Sequence, residues 1–387
     1  MTTKIRFAVA TAMLLLVVLA IGHELLDERV VARGQGTAAV PQFQVDPLWP
    51  KPLPNKWLMG SVIGVSVDSS DRIWMLHRPS SLSNNERAAA LDPPWAACCV
   101  PAPPILVFDQ EGNLADSWGG PGEGYQWPQS EHGLYVDYKD NVWVAGNGGN
   151  DHHILKFTQD GQFLLQIGQS GMSQGSNDTQ NLRQPTTMTV DPIDDEVYVA
   201  DGYGNRRVVV FDADTGEYRR HWGAYGNRPD DSDPYNGSGA TVGSDYDPDL
   251  PPARQFSKAV HGVAISEDRL VYVADRVNNR VQVFQTDGSF VSEGFVDKAT
   301  RGFGSVFELA FSKDAEQRFI YNPNGMNQSV DILLRDSLEI VSRFGQGGRY
   351  PGQFFSVHSI TVDSHGNIYT GETLEGKRLQ RFIYQGS

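Results

Sequence analysis

From about residue 58 the chain repeats itself six times, and this repetition limits the fold more than any other feature. Each copy opens with an apolar run ending at a turn: VIGVSVDSSDRIWML, HGLYVDYKDNVWV, TTMTVDPIDDEVYVA, HGVAISEDRLVYVA, FELAFSKDAEQRFIY and HSITVDSHGNIYTG. Asp68, Asp137, Asp191, Ser266, Ser312 and Asp363 mark those turns. A further run such as RVVVFD or RVQVFQ follows, then a turn such as DQEG or QTDG, then a last run such as QFLLQIG. Runs this short, rich in Val, Tyr and Phe and punctuated by Gly and Asp, read as strands, and four per unit make a propeller blade. The sixth copy ends at KRLQRFIYQGS after only three strands, while PQFQVDPLWPK near residue 41 is a strand without a blade. Pairing the two closes the ring and covers an open edge. The expectation is an all-β, six-bladed β-propeller over residues 41–387, preceded by residues 1–40 as a leader and linker.

Aligning the copies on the turn residue and stepping back five places gives Ile63, His132, Thr186, His261, Phe307 and His358. Histidine occupies this place in the second, fourth and sixth copies only. Alternate blades are related by about a third of a turn around the axis, so the three imidazoles converge on one point of the central channel. Three histidines with a fourth position open form a recurring zinc site, and His132, His261 and His358 are the expected ligands. Taken singly, each would read as a hydrogen-bonding rim residue. His152 and His153 share no such register and read as surface residues.

Composition narrows the partners. The net charge of -15 and pI near 5.0 argue against nucleic acid, which needs a basic track. Lys4 and Arg6 precede an apolar run from Phe7 to Gly22, the layout of a secretory signal or signal anchor. Export to a periplasmic or extracellular location follows, with a membrane tether through this segment left open. Cys98 and Cys99 are adjacent and read as loop thiols, unpaired or locally paired. Two insertions lengthen the repeat, one after Arg78 and one from Asn227 to Arg254; the second carries six aspartates and reads as a solvated loop.

The segments VYVADGYGNRRVVVFD and VYVADRVNNRVQVFQTDG resemble NHL repeats, and the whole chain after residue 41 resembles peptidyl-alpha-hydroxyglycine alpha-amidating lyase. That resemblance implies a six-bladed propeller holding zinc through one histidine from each of three blades, matched by EHGLYVD, VHGVAIS and VHSITVD. It also implies catalytic roles for Tyr203 in ADGYGNRR, Arg78 in WMLHRP and Arg276 in ADR. Arg280, and Arg206 or Arg207, are expected to be inter-strand fixtures instead. The family's structural calcium uses a carboxylate after the last zinc histidine, where this chain has Ser359; Val65 and Leu134 hold its carbonyl positions. Gly204 stands where the animal enzymes have a cysteine of a cystine beside the tyrosine.

The implied activity is a lyase reaction in which a hemiaminal C–N bond breaks to give an amide and glyoxylate, on a small-molecule or peptide substrate. The metal acidifies the hydroxyl, a tyrosinate held near cationic groups takes its proton, and Arg78 pairs with the carboxylate. Two other readings fit a propeller: a non-catalytic NHL platform binding a protein or glycan, and a lactonase-like hydrolase with carboxylate and asparagine metal ligands. The second alternative ranks lowest, since no carboxylates share a channel register as the histidines do.

Overall fold

The computed structural model describes residues 39–232 and 247–387; the N-terminal apolar run and the centre of the Asp-rich insertion lie outside the described residues. Between Phe43 and Tyr384 the chain forms six four-stranded antiparallel blades. Blade 1 uses Ser61–Val67, Ile73–Arg78, Ile105–Phe108 and Leu114–Trp118. Blade 2 uses Glu131–Val136, Val142–Gly146, His153–Phe157 and Phe163–Gly168. Blade 3 uses Met188–Asp191, Glu196–Asp201, Arg207–Asp212 and Tyr218–Trp222. Blade 4 uses Val260–Ile265, Val271–Asp275, Arg280–Phe284 and Phe290–Phe295. Blade 5 uses Ala310–Phe311, Phe319–Asn324, Ser329–Leu334 and Ile340–Phe344. Blade 6 uses Val357–Val362, Ile368–Glu372 and Arg378–Tyr384, and its fourth strand is Phe43–Asp46, paired from Phe43↔Tyr384 to Asp46↔Arg381. The ring is thus closed by the N-terminal strand, as the strand count required.

The turn aspartates are structural, and their chemistry explains why the repeat keeps them. Asp137 accepts the backbone N–H groups of Lys139 and Asn141, both at 2.9 Å, and the Trp143 indole N–H at 2.8 Å. Asp68 does the same for Ser70, Arg72 and Trp74, and Asp363 for His365, Asn367 and the Tyr369 hydroxyl. One carboxylate thereby closes the tight turn and anchors the large ring of the second strand. Adjacent blades are tied at this end by Ser69 to Asp140, Ser364 to Asp71, and Arg269 to Asp191.

Apolar side chains from neighbouring blades pack face to face, so the core is a set of wedges between blades. Ile63, Trp74, Val136 and Leu155 fill the wedge between blades 1 and 2, and Val62, Met75, Tyr369 and Leu379 that between blades 6 and 1. The NHL-type arginines lie within single blades. Arg207 pairs with Asp201 at 2.8 Å and Arg280 with Asp275 at 2.8 Å, every side chain fully buried. Arg207 is therefore the fixture in blade 3, with Ser176 and Asn181 carbonyls accepting its remaining N–H groups.

Two local expectations are corrected. His152 and His153 are buried rather than superficial, because the loop before them folds back on Asp151, which accepts N–H groups from Gln129, Ser130 and Gly148. His152 Nδ1 then accepts the Ser173 N–H at 3.0 Å, and the His153 ring meets the Gln126 carbonyl. Cys98 and Cys99 form a disulfide with each other, choosing between the two states the sequence left open.

Candidate metal centre

The innermost strands of four blades carry a β-bulge, and the bulge falls on the register that the repeat singled out. In blade 4 Val260 faces Asp275 and Gly262 faces Ala274, which leaves His261 as the extra residue. His358 is extra in blade 6 and Ile63 in blade 1. In blade 2 the shift lies between Glu131 and Leu134, around His132 and Gly133. A bulge re-aims a side chain that regular alternation would send into the blade interface. Close approach of the next blade fixes the neighbouring residue: a Cβ at Gly133 would lie 2.1 Å from the Thr186 carbonyl oxygen.

The three rings meet. Centroid separations are 5.0 Å for His132–His261, 5.0 Å for His132–His358 and 4.7 Å for His261–His358, with the rings steeply inclined to one another. One nitrogen from each lies within 4.8 Å of the other two. The opposite nitrogen is held by the following blade: His132 Nδ1 meets the Thr186 carbonyl at 3.2 Å and His261 Nδ1 the Phe307 carbonyl at 2.6 Å. His358 has the Ile63 carbonyl beside it, with its Nδ1 short of hydrogen-bond geometry. These carbonyls belong to the same register in the intervening blades. A carbonyl on Nδ1 fixes the tautomer with Nε2 unprotonated, the form that binds a metal.

Electrostatics act in the same direction. Burial is the main cause holding all three imidazoles well below the usual histidine range, reinforced by Arg276 and, for His132 and His358, by Arg78. They are neutral, as ligation requires. His261 Nε2 is buried without a hydrogen-bond partner, an unmet polar atom that costs stability unless something is bound there. The donor set, the tautomers and the orphaned nitrogen fit a cation such as zinc.

Tyr203 lies against this cluster. Its hydroxyl is 3.3 Å from His132 Nε2 and accepts a hydrogen bond from Arg276 Nη1 at 3.0 Å. It reaches this place because the loop after blade 3's second strand runs hard against blade 4: a Cβ at Gly202 would lie 1.9 Å from the Val260 carbonyl oxygen. Arg276 is buried, with its guanidinium over the rings of Tyr203, Phe303 and Phe307 at 5.3, 5.7 and 5.0 Å. Arg78 donates to the Glu131 carbonyl at 2.6 Å and to Asn147 Oδ1 at 2.9 Å. Burial lowers its pKa, opposed by the nearby Tyr203, Glu131 and Asp151 charges.

All six singled-out residues are therefore gathered at one end of the channel. The sequence alone singles out neither Asn147 and Phe303 nor the Glu131 carbonyl that accepts the Arg78 N–H. Asn147 is legible in principle, since it holds the place at the end of its blade's second strand that Arg78 and Arg276 hold in theirs. The geometry of the calcium positions is less complete: Ser359 is buried with its hydroxyl unpartnered, and Glu308 of blade 5 accepts the N–H of the next residue, Ile360, at 2.9 Å.

The fold and site define a six-bladed propeller with three inward histidines beside a tyrosine that is bonded to an aromatic-clamped arginine, and residues 260–284 match the NHL repeat. More particularly, the chain resembles the amidating lyases. It is 27% identical over 328 residues to the Mus musculus protein named peptidyl-glycine alpha-amidating monooxygenase, covering 81% of this chain and 29% of that protein. It is 25% identical over 362 residues to peptidyl-alpha-hydroxyglycine alpha-amidating lyase 1 of Drosophila melanogaster, covering 87% and 59%. The chain thus spans well under two thirds of either relative. A solved streptogramin B lyase shares the fold, with a TM-score of 0.52 and 13% identity over 89% of this chain and 98% of that one.

Proposed function

We propose that this protein is an exported, zinc-dependent lyase acting on an N-acyl-α-hydroxyglycine or a close hemiaminal relative. The observation that carries the reading is the convergence of His132, His261 and His358 on one point beside the Tyr203 hydroxyl. The likeness to the amidating lyases supports the reaction type.

A zinc ion held by the three imidazoles supplies Lewis acidity toward an oxygen of the substrate. The rest is done by side chains of the chain itself. Acting as the phenolate, Tyr203 Oη takes the proton from the substrate hydroxyl while the C–N bond breaks. A C=O bond forms to give glyoxylate, and the proton passes to the leaving amide nitrogen, so the step is redox-neutral. The negative charge that Tyr203 Oη carries before it takes the proton, and regains when it passes the proton on, is met by Arg276 Nη1, whose guanidinium the three aromatic rings hold in place. Arg78 uses Nε and Nη2 on the protein; Nη1 makes no hydrogen bond among the described residues and is the donor offered to the substrate carboxylate.

The test measures metal content and glyoxylate release from N-benzoyl-α-hydroxyglycine. Wild type should carry about one equivalent of zinc, lost in His261→Ala with the fold retained, and Tyr203→Phe should keep zinc while turnover drops by roughly two to four orders of magnitude. Protein that binds no divalent metal at micromolar concentration would end the metalloenzyme reading. Bound zinc without glyoxylate would end the lyase chemistry alone.

A further inference from the structure

A second concentration of charge lies on the rim of blades 3 and 4, outside the residues used above. Lys258 precedes the inner strand of blade 4, three positions before His261. Its side chain is half-buried and has no hydrogen-bond or ion-pair partner among the described residues. The charges it faces are Arg206, Asp231 and Arg183; burial, the largest effect, and the two arginines lower its pKa, while Asp231 opposes them. Asp231 is already engaged, accepting the Ser176 N–H at 2.8 Å and hydroxyl at 2.5 Å.

Arg183 is anchored through its backbone. Its N–H donates to Asp201 Oδ1 at 2.8 Å, and its carbonyl accepts the Gly204 N–H at 3.0 Å. Its aliphatic stem covers Gly204, where a Cβ would come 2.3 Å from Arg183 Cγ. Gly204 follows Tyr203, so the stem borders the proposed proton acceptor. The guanidinium is exposed and also lacks a partner among the described residues. The loop that Arg183 covers at Gly204 is pressed at Gly202 onto Val260, two residues after Lys258, so the two unpaired cations flank one loop; in a chain of net charge -15 they repel each other and gain most from a shared anion.

We propose that Lys258 and Arg183 form an oxyanion subsite that selects substrates bearing a carboxylate or phosphate on the acyl side, away from the reacting carbon. As a statement about substrates it rests on the lyase reading; as a binding site it stands apart from it. The glycine at 204 is part of this device, since any side chain there would displace the arginine stem. Lys258 supplies the partly desolvated charge and Arg183 the flexible outer one.

The experiment compares binding of 4-carbamoylbenzoate and benzamide to the full chain by calorimetry at low salt, alongside turnover of the matching acylated α-hydroxyglycines. The anionic amide should bind roughly tenfold more tightly. Lys258→Met should abolish that preference, Lys258→Arg should keep it, and Arg183→Met should reduce it about two- to threefold, with benzamide unaffected. In turnover, Lys258→Met should raise KM for the anionic substrate at constant kcat. Equal binding of the two amides, no binding of either up to about 10 mM, or a preference surviving both methionine variants would overturn the subsite. Turnover without charge preference removes the subsite and leaves the lyase; variant-sensitive anion binding without turnover does the reverse.

Discussion

Replacing Glu308 with glutamine should make the protein more stable at neutral pH and remove part of its pH dependence. The carboxyl lies at the inner strand of blade 5, accepts one N–H from Ile360 of blade 6, and has no cation beside it. Burial raises its pKa from 4.5 to about 8, only partly offset by that hydrogen bond. The folded state therefore holds a proton that the unfolded chain releases above pH 4.5. Stability is intact below that pH, falls as pH rises toward 8, and is fully diminished above it. Each unit within this window costs about 1.4 kcal/mol, so neutral pH carries a penalty of ~3 kcal/mol for a fully desolvated group. Part of the side chain is still reached by solvent, which screens the ionised form and brings the figure to ~2 kcal/mol. Glutamine keeps the acceptor for Ile360 without the charge. Urea unfolding of wild type and Glu308→Gln at pH 5, 7 and 8.5 should give curves that coincide at low pH and separate progressively above it. Parallel curves, or a variant less stable at pH 7, would refute the argument that this carboxyl is stranded without a counter-charge.

Two further outcomes test the scaffold. Arg207→Ala leaves Asp201 buried without its counter-ion and should cost about 3–5 kcal/mol, read as a large drop in the urea midpoint at unchanged m-value, whereas Arg219→Ala, whose ion pair with Asp212 is solvent-exposed, should cost under about 1 kcal/mol. Removing the chain up to Val45 strips the closing strand from blade 6 and exposes the edge of Arg378–Tyr384; a lower melting temperature with concentration-dependent association in size-exclusion chromatography is expected.

What could be read from the residues alone depended on repetition. The histidines are visible because six copies superimpose on a turn residue, aspartate in four and serine in two, and the aspartate is conspicuous because it makes several hydrogen bonds at once. Tyr203 and the two arginines needed a resemblance as well, since the tyrosine occurs in one blade only and the place that Arg78 and Arg276 share holds Asn147 in the blade between the first and third. The stacking of Phe303 and Phe307 on Arg276 depends on the path of a loop joining two blades, which local pattern does not encode. His152 and His153 went astray for a similar reason: a loop anchored on Asp151 carries them inward, while their neighbours in sequence are polar. Glu308 reads in FELAFS as an unremarkable alternating residue, and only the bare N–H on the next blade's inner edge explains its place.

The extra residue in the inner strands of blades 1, 2, 4 and 6 presents one side chain per blade toward the axis at a fixed backbone place. Ile63, Thr186 and Phe307 stand in the same ring as the three histidines, and what distinguishes a ligand from a wall is side-chain chemistry at a fixed backbone address. The ligand set is therefore separable from the architecture. Exchanging one of these histidines for the isoleucine, threonine or phenylalanine that a neighbouring blade carries at this place is expected to change the donor set and leave the strand pairing as it is.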